Sequence, residues 1–385
     1  MSYDHLLATA AQLSAAFATR SAEIEAERRI PADVSQQLAA AGFYRLAVPA
    51  AIGGLEVPPA INSQIIEILA QGDAACAWVT FIGATSGSAL SGLPQAAAQR
   101  IFAAPDTMIT GVFAPTGRAE RTAGGFNVSG RWQWGSGSQN ADWVLGGCRL
   151  FERGEPMLDE HGRPRTHMVV LPTSEIEHLD TWQVSGLCGT GSLDYQVAQT
   201  FVPDERVVGF VREGRVPVTP LYAFPNFTFL ALGIGAVCLG IARSAIDTLI
   251  ALGQEKKRVG SGRTIAHKSS AQVKLAEAEA ALRSARLFYY DTINVAWQQA
   301  LQGGRVSTEA RRDVRLATTT AVTACTRVVD DMYTLGGGAS VYKISKLQRH
   351  FRDIHVATQH IMVAPTTLET IGGHLFGLDA NVATL

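Results

Sequence analysis

The chain has 385 residues, 47% of them hydrophobic and 17% charged, with 33 Lys+Arg against 34 Asp+Glu and a formal net charge of -1. That length predicts two or three domains around a sizeable core, and the charge balance offers nothing to draw the chain to nucleic acid or an anionic membrane. So apolar a chain is not disordered, and function is expected in its interior.

From Met1 to about Pro105 the pattern is helical, with Ala, Leu, Gln and Glu recurring at three- and four-residue spacing. Met1 to Arg20 carries no basic leader, and a cytoplasmic location is expected. Pro31-Ala32-Asp33 opens a short helix ending near Gly42, Ile52-Gly53-Gly54 is a loop, and Ala60 to Gln71 is the next helix. From Asp106 to Val216 the period shortens. Strands are predicted at Met108–Phe113, Gly125–Trp134, Trp143–Leu150, His167–Leu171 and Gln196–Val202, with a hairpin at Gly124-Gly125, as in a small antiparallel barrel or sandwich.

From Tyr222 onward helices return. The apolar run Phe229 to Ala242 is shorter than the ~18 residues of a membrane span and reads as a buried helix. Ser269 to Gln299 and Ser307 to Leu335 follow, the latter with Thr308 as its cap, and His350 to Gly372 should kink or restart at Pro365. The expected domains are residues 1–105 (helical), 106–216 (β) and 217–385 (a four-helix bundle), an α+β chain. The five cysteines are scattered and never CxxC, so reduced thiols are expected and no zinc site or other metal site.

Four segments carry a family resemblance: Ala41-Gly42-Phe43-Tyr44-Arg45-Leu46-Ala47-Val48-Pro49 with Gly53-Gly54; Gly130 to Ser138 running on to Ala141-Asp142-Trp143; Trp182 to Ser192 followed by Phe201-Val202-Pro203; and Arg352-Asp353-Ile354-His355 leading to Thr358-Gln359-His360. Together they resemble the acyl-CoA dehydrogenase fold superfamily, and within it the two-component, flavin-dependent aromatic hydroxylases. The resemblance implies an oxygenase component that takes reduced FAD or FMN from a separate NAD(P)H-dependent flavin reductase. With O2 it would hydroxylate a small phenol- or indole-like substrate through a flavin hydroperoxide. A homotetramer is implied as well. The alternative is an FAD-dependent acyl-CoA dehydrogenase. The Glu-Gly-Thr expected of one is replaced here by Gln359-His360-Ile361, with Glu369 more than two turns further on.

His360 is the sharpest catalytic candidate, since a near-neutral imidazole suits deprotonating a phenol or pyrrole-like N–H; a hydrogen-bonded core histidine is the plain alternative. Ser136 and Ser138 lie in a Gly-Ser-Gly-Ser turn where a hydroxyl could bond the N5 edge of a flavin, although an ordinary turn fits the composition equally. Trp134, Phe113 and Trp78 are candidates for the flavin face and substrate pocket, and Tyr222, Phe224 and Phe227 for a lid, pocket wall or junction plug. Gly189-Thr190-Gly191-Ser192 and Gly336-Gly337-Gly338 could cradle a phosphate with backbone N–H groups, though neither sits in a Rossmann layout. By resemblance, Thr190 and Ser192 approach the ribityl phosphate, while Gly336, Gly337, Gly338 and Arg263 meet a flavin tail from a neighbouring subunit.

Overall fold

The computed structural model describes residues 2–211, 213, 214, 216, 218–224, 226–255, 264–303, 305–378 and 385, and only the backbone of Asn226. Arg263 lies outside the described residues. Six helices come first: α1 (Asp4–Ala18), α2 (Ser21–Glu27), α3 (Ala32–Ala40), α4 (Pro59–Gly72), α5 (Ala74–Ser88) and α6 (Gln95–Ile101). Asp73 separates α4 from α5 and caps the second, its carboxylate accepting from the Cys76 N–H at 2.9 Å. The sequence of α5 is Ala-, Gly- and Thr-rich with no charge, so it tolerates burial on nearly every side.

Seven strands follow: β1 (Ile109–Thr122), β2 (Gly125–Trp132), β3 (Trp143–Glu152), β4 (Glu155–Pro156), β5 (Thr166–Pro172), β6 (Glu177–Leu179) and β7 (Asp194–Pro203). They form one sheet in the order β4-β3-β1-β2-β7-β6, with β5 added on β3. The predicted hairpin is present, Thr122 facing Gly125. The sheet is mixed, however, because β1 and β3 run parallel, with a register shift between Val112 and Gly117. Alternation marks a strand but not its direction, so the expected all-antiparallel arrangement is corrected here. The parallel pair forces the chain leaving β2 to cross to the far side of β1, and residues 133–142 make that crossing. One apolar cluster fills the sheet's inner face around Trp132, Val144 and Tyr195, and another seats Ile109, Leu145 and Val170 on Ile101 and Phe102.

The remaining helices are α7 (Asn226–Glu255), α8 (Ser269–Leu301), α9 (Thr308–Gly336), α10 (Lys346–Ala357) and α11 (Thr366–Leu375). A single buried cluster joins α1–α5 to α7–α10. Stretch Phe227–Glu255 is long and apolar enough to cross a membrane, but 83% of its most apolar window is buried against other helices. Its glycines explain the closeness: a Cβ on Gly240 would lie 2.3 Å from the Glu67 carbonyl oxygen, and one on Gly233 would lie 2.4 Å from the Phe81 ring. The cap of α9 is Ser307, which accepts from the Ala310 N–H at 3.1 Å, one residue before the expected Thr308. The last predicted helix divides into α10 and α11, with Pro365 just before the second, and His360 falls in the break.

The cap assignment predicts that Ser307→Ala costs about 1 kcal/mol in urea unfolding, and that Thr308→Ala costs clearly less. Equal losses would contradict it.

Candidate active site

Residues 133–142 bring together most of what the sequence marked. The turn is zipped to the segment before β7 by Gly135 N–H to the Leu193 carbonyl (2.9 Å) and Gly137 N–H to the Thr190 carbonyl (2.8 Å). Gly137 takes φ 72°, where a side chain would be strained, and its missing Cβ leaves room for Val79 and Met108. Trp134 also sits at positive φ, 63°, with its side chain 70% exposed. A bulky residue there costs about 1–2 kcal/mol, and such strain gathers at ligand-contacting positions.

Behind this turn runs a chain of buried hydroxyls. The Trp78 indole N–H, on α5, donates to Ser136 Oγ at 3.2 Å. Ser136 Oγ lies 2.7 Å from Ser192 Oγ, which lies 2.7 Å from Thr190 Oγ1, which donates to the Leu187 carbonyl at 2.8 Å. An indole N–H can only donate and a carbonyl can only accept. Each hydroxyl proton must therefore point the same way, from Ser136 to Ser192 to Thr190 to Leu187. Ser136 Oγ has spent its proton and keeps a lone pair for an incoming donor. Deeper still, Ser138 Oγ and Thr110 Oγ1 are buried without a partner among the described residues. Leu187 is itself held at φ 50°, its N–H donating to the Asp353 carboxylate at 2.7 Å. Burial pushes that carboxyl up to about 7.

His360 approaches from the α10–α11 break, its ring centroid 5.9 Å from that of Trp78. Its Nδ1 accepts from the Met362 N–H at 3.2 Å, which places the neutral ring's proton on Nε2. Against the expectation of a ring open to receive a proton, the nitrogen left free is a donor. Burial, and then the nearby Arg315 charge, lower its pKa to about 4. Arg315, on α9, was missed in the sequence and is only 3% exposed. Desolvation lowers its guanidinium to about 10. Phe113 lines a small cavity with Thr85, Ser88, Ala89, Phe229 and Leu230, where α5, β1 and α7 meet.

Other candidates are not brought in. Tyr222 donates its hydroxyl to the Ala47 carbonyl (3.1 Å), and buried Phe224 packs near Trp297, so both plug the junction of the helical layers. Phe227 is more than a third exposed at the start of α7. Gly336, Gly337 and Gly338 lie at the far end of α9 from Arg315, roughly 30 Å of helix away. His350 is buried and His355 bonds Asp330 at 2.9 Å, so neither joins His360. Glu369 is exposed on α11, away from a base's position.

Family models for the acyl-CoA dehydrogenase N-terminal domain and C-terminal domain match residues 4–96 and 232–365. An indole-3-acetate monooxygenase of Pseudomonas putida is 36% identical over 360 residues, 93% of this chain and 90% of that protein. The chain belongs to the flavin-dependent monooxygenase branch of the acyl-CoA dehydrogenase family. The oxygenase subunit HsaA of a flavin-dependent monooxygenase from Rhodococcus jostii is 30% identical, over 89% of this chain and 90% of its own. The structure of XiaF from a Streptomyces species, in complex with FADH2 and glycerol, superimposes with a TM-score of 0.88 at 25% identity, covering 98% of this chain and 96% of that one. As a member of this branch the protein is a flavin-dependent monooxygenase that works with reduced flavin, and an oxygenase component implies a separate reductase.

Two measurements check the site. The His360 ring protons should titrate near pH 4 in NMR, against 6.5 unfolded. The unfolded chain then binds the extra proton between those values, so this histidine's contribution to stability is present above pH 6.5 and lost as pH falls toward 4; titration near 6.5 in the folded protein would contradict the burial. Separately, Trp134→Gly should keep or raise the melting temperature while weakening flavin binding; a lower melting temperature would remove the strain argument.

Proposed function

We propose that this chain is the oxygenase of a two-component system acting on a small phenol- or indole-like ring, with Ser136 selecting the reduced cofactor. The observation that carries this reading is the one-way hydroxyl chain. Reduced flavin has an N–H at N5, whereas oxidised flavin has only a lone pair there. A Ser136 Oγ limited to accepting suits the first and repels the second. The buried, partnerless Ser138 and Thr110 hydroxyls and the strained Trp134 fit a polar-edged flat ring at the same turn. When bound, reduced flavin supplies the electrons for activating dioxygen.

The chain's own residues then bind, orient and shield. Trp78, Phe113 and Phe229 would wall the pocket against water, which prevents wasteful release of hydrogen peroxide. His360 would hold its proton on Nε2 and donate it as a hydrogen bond to a substrate oxygen, fixing the ring for attack. In place of an accepted proton, this gives orientation and stabilisation of developing negative charge. Thr190 and Ser192 would meet the ribityl end. Exposed apolar residues on α8 (Leu287, Val295) and beyond α11 (Phe376, Leu378) support packing of four copies, through which the Gly336–Gly338 turn and Arg263 would reach a neighbour's flavin. Reduced FAD or FMN is the proposed cofactor, and the cytoplasm is the proposed location. An acyl-CoA dehydrogenase is not supported, because the pocket side of the α10–α11 break carries no carboxylate among the described residues.

Anaerobic titration should give at least tenfold tighter binding of reduced than oxidised flavin, with the preference lost in Ser136→Ala. Equal affinities in the wild type would overturn the reading. His360→Ala should retain flavin binding yet release hydrogen peroxide in place of hydroxylated product, when supplied with a reductase, NADH and a phenol; unchanged coupling would remove His360.

A further inference from the structure

Arg315 is a buried cation with no anionic partner among the described residues. Its Nη1 donates to the Phe227 carbonyl at 3.2 Å and reaches Met362 Sδ at 3.7 Å, and its Nη2 donates to Thr367 Oγ1 at 3.2 Å. Neutral oxygens and a thioether do not offset the cost of desolvating a guanidinium, and its Nε has no hydrogen-bond partner among the described residues. Two further polar atoms nearby in the fold share that condition. Thr319 Oγ1, one turn along the same face of α9, and Thr228 Oγ1, the residue after the Phe227 whose carbonyl Arg315 holds, are both buried and partnerless. Each buried polar atom left unmatched asks for an explanation, and a ligand would answer all three at once.

We propose that Arg315, with Thr228 and Thr319, forms an anion subsite of the substrate pocket that receives the carboxylate of an aryl-alkanoic acid. Its position fits. Met362, which Arg315 touches, donates its backbone N–H to His360, and Phe229, one residue beyond Thr228, lines the cavity shared with Phe113. A carboxylate on Arg315 thus sets the attached ring beside the His360–Trp78 ring pair. One cation and two hydroxyls match a single negative charge, whereas a phosphate dianion would leave a charge uncompensated in a dry site. The inference rests on the oxygenase reading for what happens to the ring, but binding can be measured apart from it.

The test is calorimetric binding of indole-3-acetate, its neutral isostere indole-3-acetamide and inorganic phosphate to the wild type, Arg315→Met and Thr319→Val, in the flavin-free protein. The wild type should prefer the acid over the amide. Arg315→Met should weaken the acid by at least roughly thirtyfold and change the amide little. Thr319→Val, which retains the buried cation and so keeps the test decisive if Arg315→Met does not fold, should weaken the acid several-fold. Equal acid and amide affinities, an acid preference that survives both substitutions, or displacement of the acid by phosphate would each overturn the subsite. Turnover separates the two ideas: product from both acid and amide at equal affinity leaves the oxygenase standing without the subsite, and acid preference without any product does the reverse.

Discussion

The structure depends on a row of hydrogen bonds that can point only one way. A donor-only indole at one end and an acceptor-only carbonyl at the other force the protons of Ser136, Ser192 and Thr190 into a single sense. The row also ties the layers together, since Trp78 belongs to α5, Ser136 to the crossing between β2 and β3, and Ser192 and Thr190 to the approach to β7. Its far end is pinned to α10 by Leu187 and Asp353. Each bond contributes about 1 kcal/mol to stability, a modest sum. Its larger effect is polarity: it decides which hydrogen-bonding role the site offers to a ligand.

The parallel pairing of β1 and β3 sets up this arrangement. It makes the chain cross the sheet at residues 133–142, and the crossing carries Ser136 and Gly137 up against α5. The same low-charge composition that first suggested a large core leaves His360 and Arg315 among apolar, buried surroundings. There His360 stays neutral far below its ordinary titration range, and Arg315 is left without a counter-charge. In a solvated cleft neither would hold, because water would supply the missing partners.

Much of this was legible in the chain. Helix and strand positions followed from periodicity, Ser136, Ser192, Thr190 and His360 stood in motifs that marked the family, and Trp78 stood out only as an aromatic. What escaped had physical reasons. Strand direction leaves no periodic trace, so the β1–β3 pairing was invisible. The tautomer of His360 depends on a backbone N–H two residues on, which composition does not show. Tyr222 and Phe224 look the same in sequence whether they line a pocket or plug a junction. Arg315 stands close to Arg311 and Arg312 and was not singled out; only its place on the buried stripe with Val314, Thr318 and Ala321 could have marked it.

The central claim is that Ser136 accepts a hydrogen bond from the reduced cofactor because its own proton is committed. Nitrogen-15 NMR of anaerobically bound, N5-labelled reduced flavin reads that bond directly. The account predicts an N5–H signal shifted downfield, slow to exchange with water, and returned to the free-flavin position in Ser136→Ala. A freely exchanging N5–H in the wild type, or one unaffected by the substitution, would contradict it.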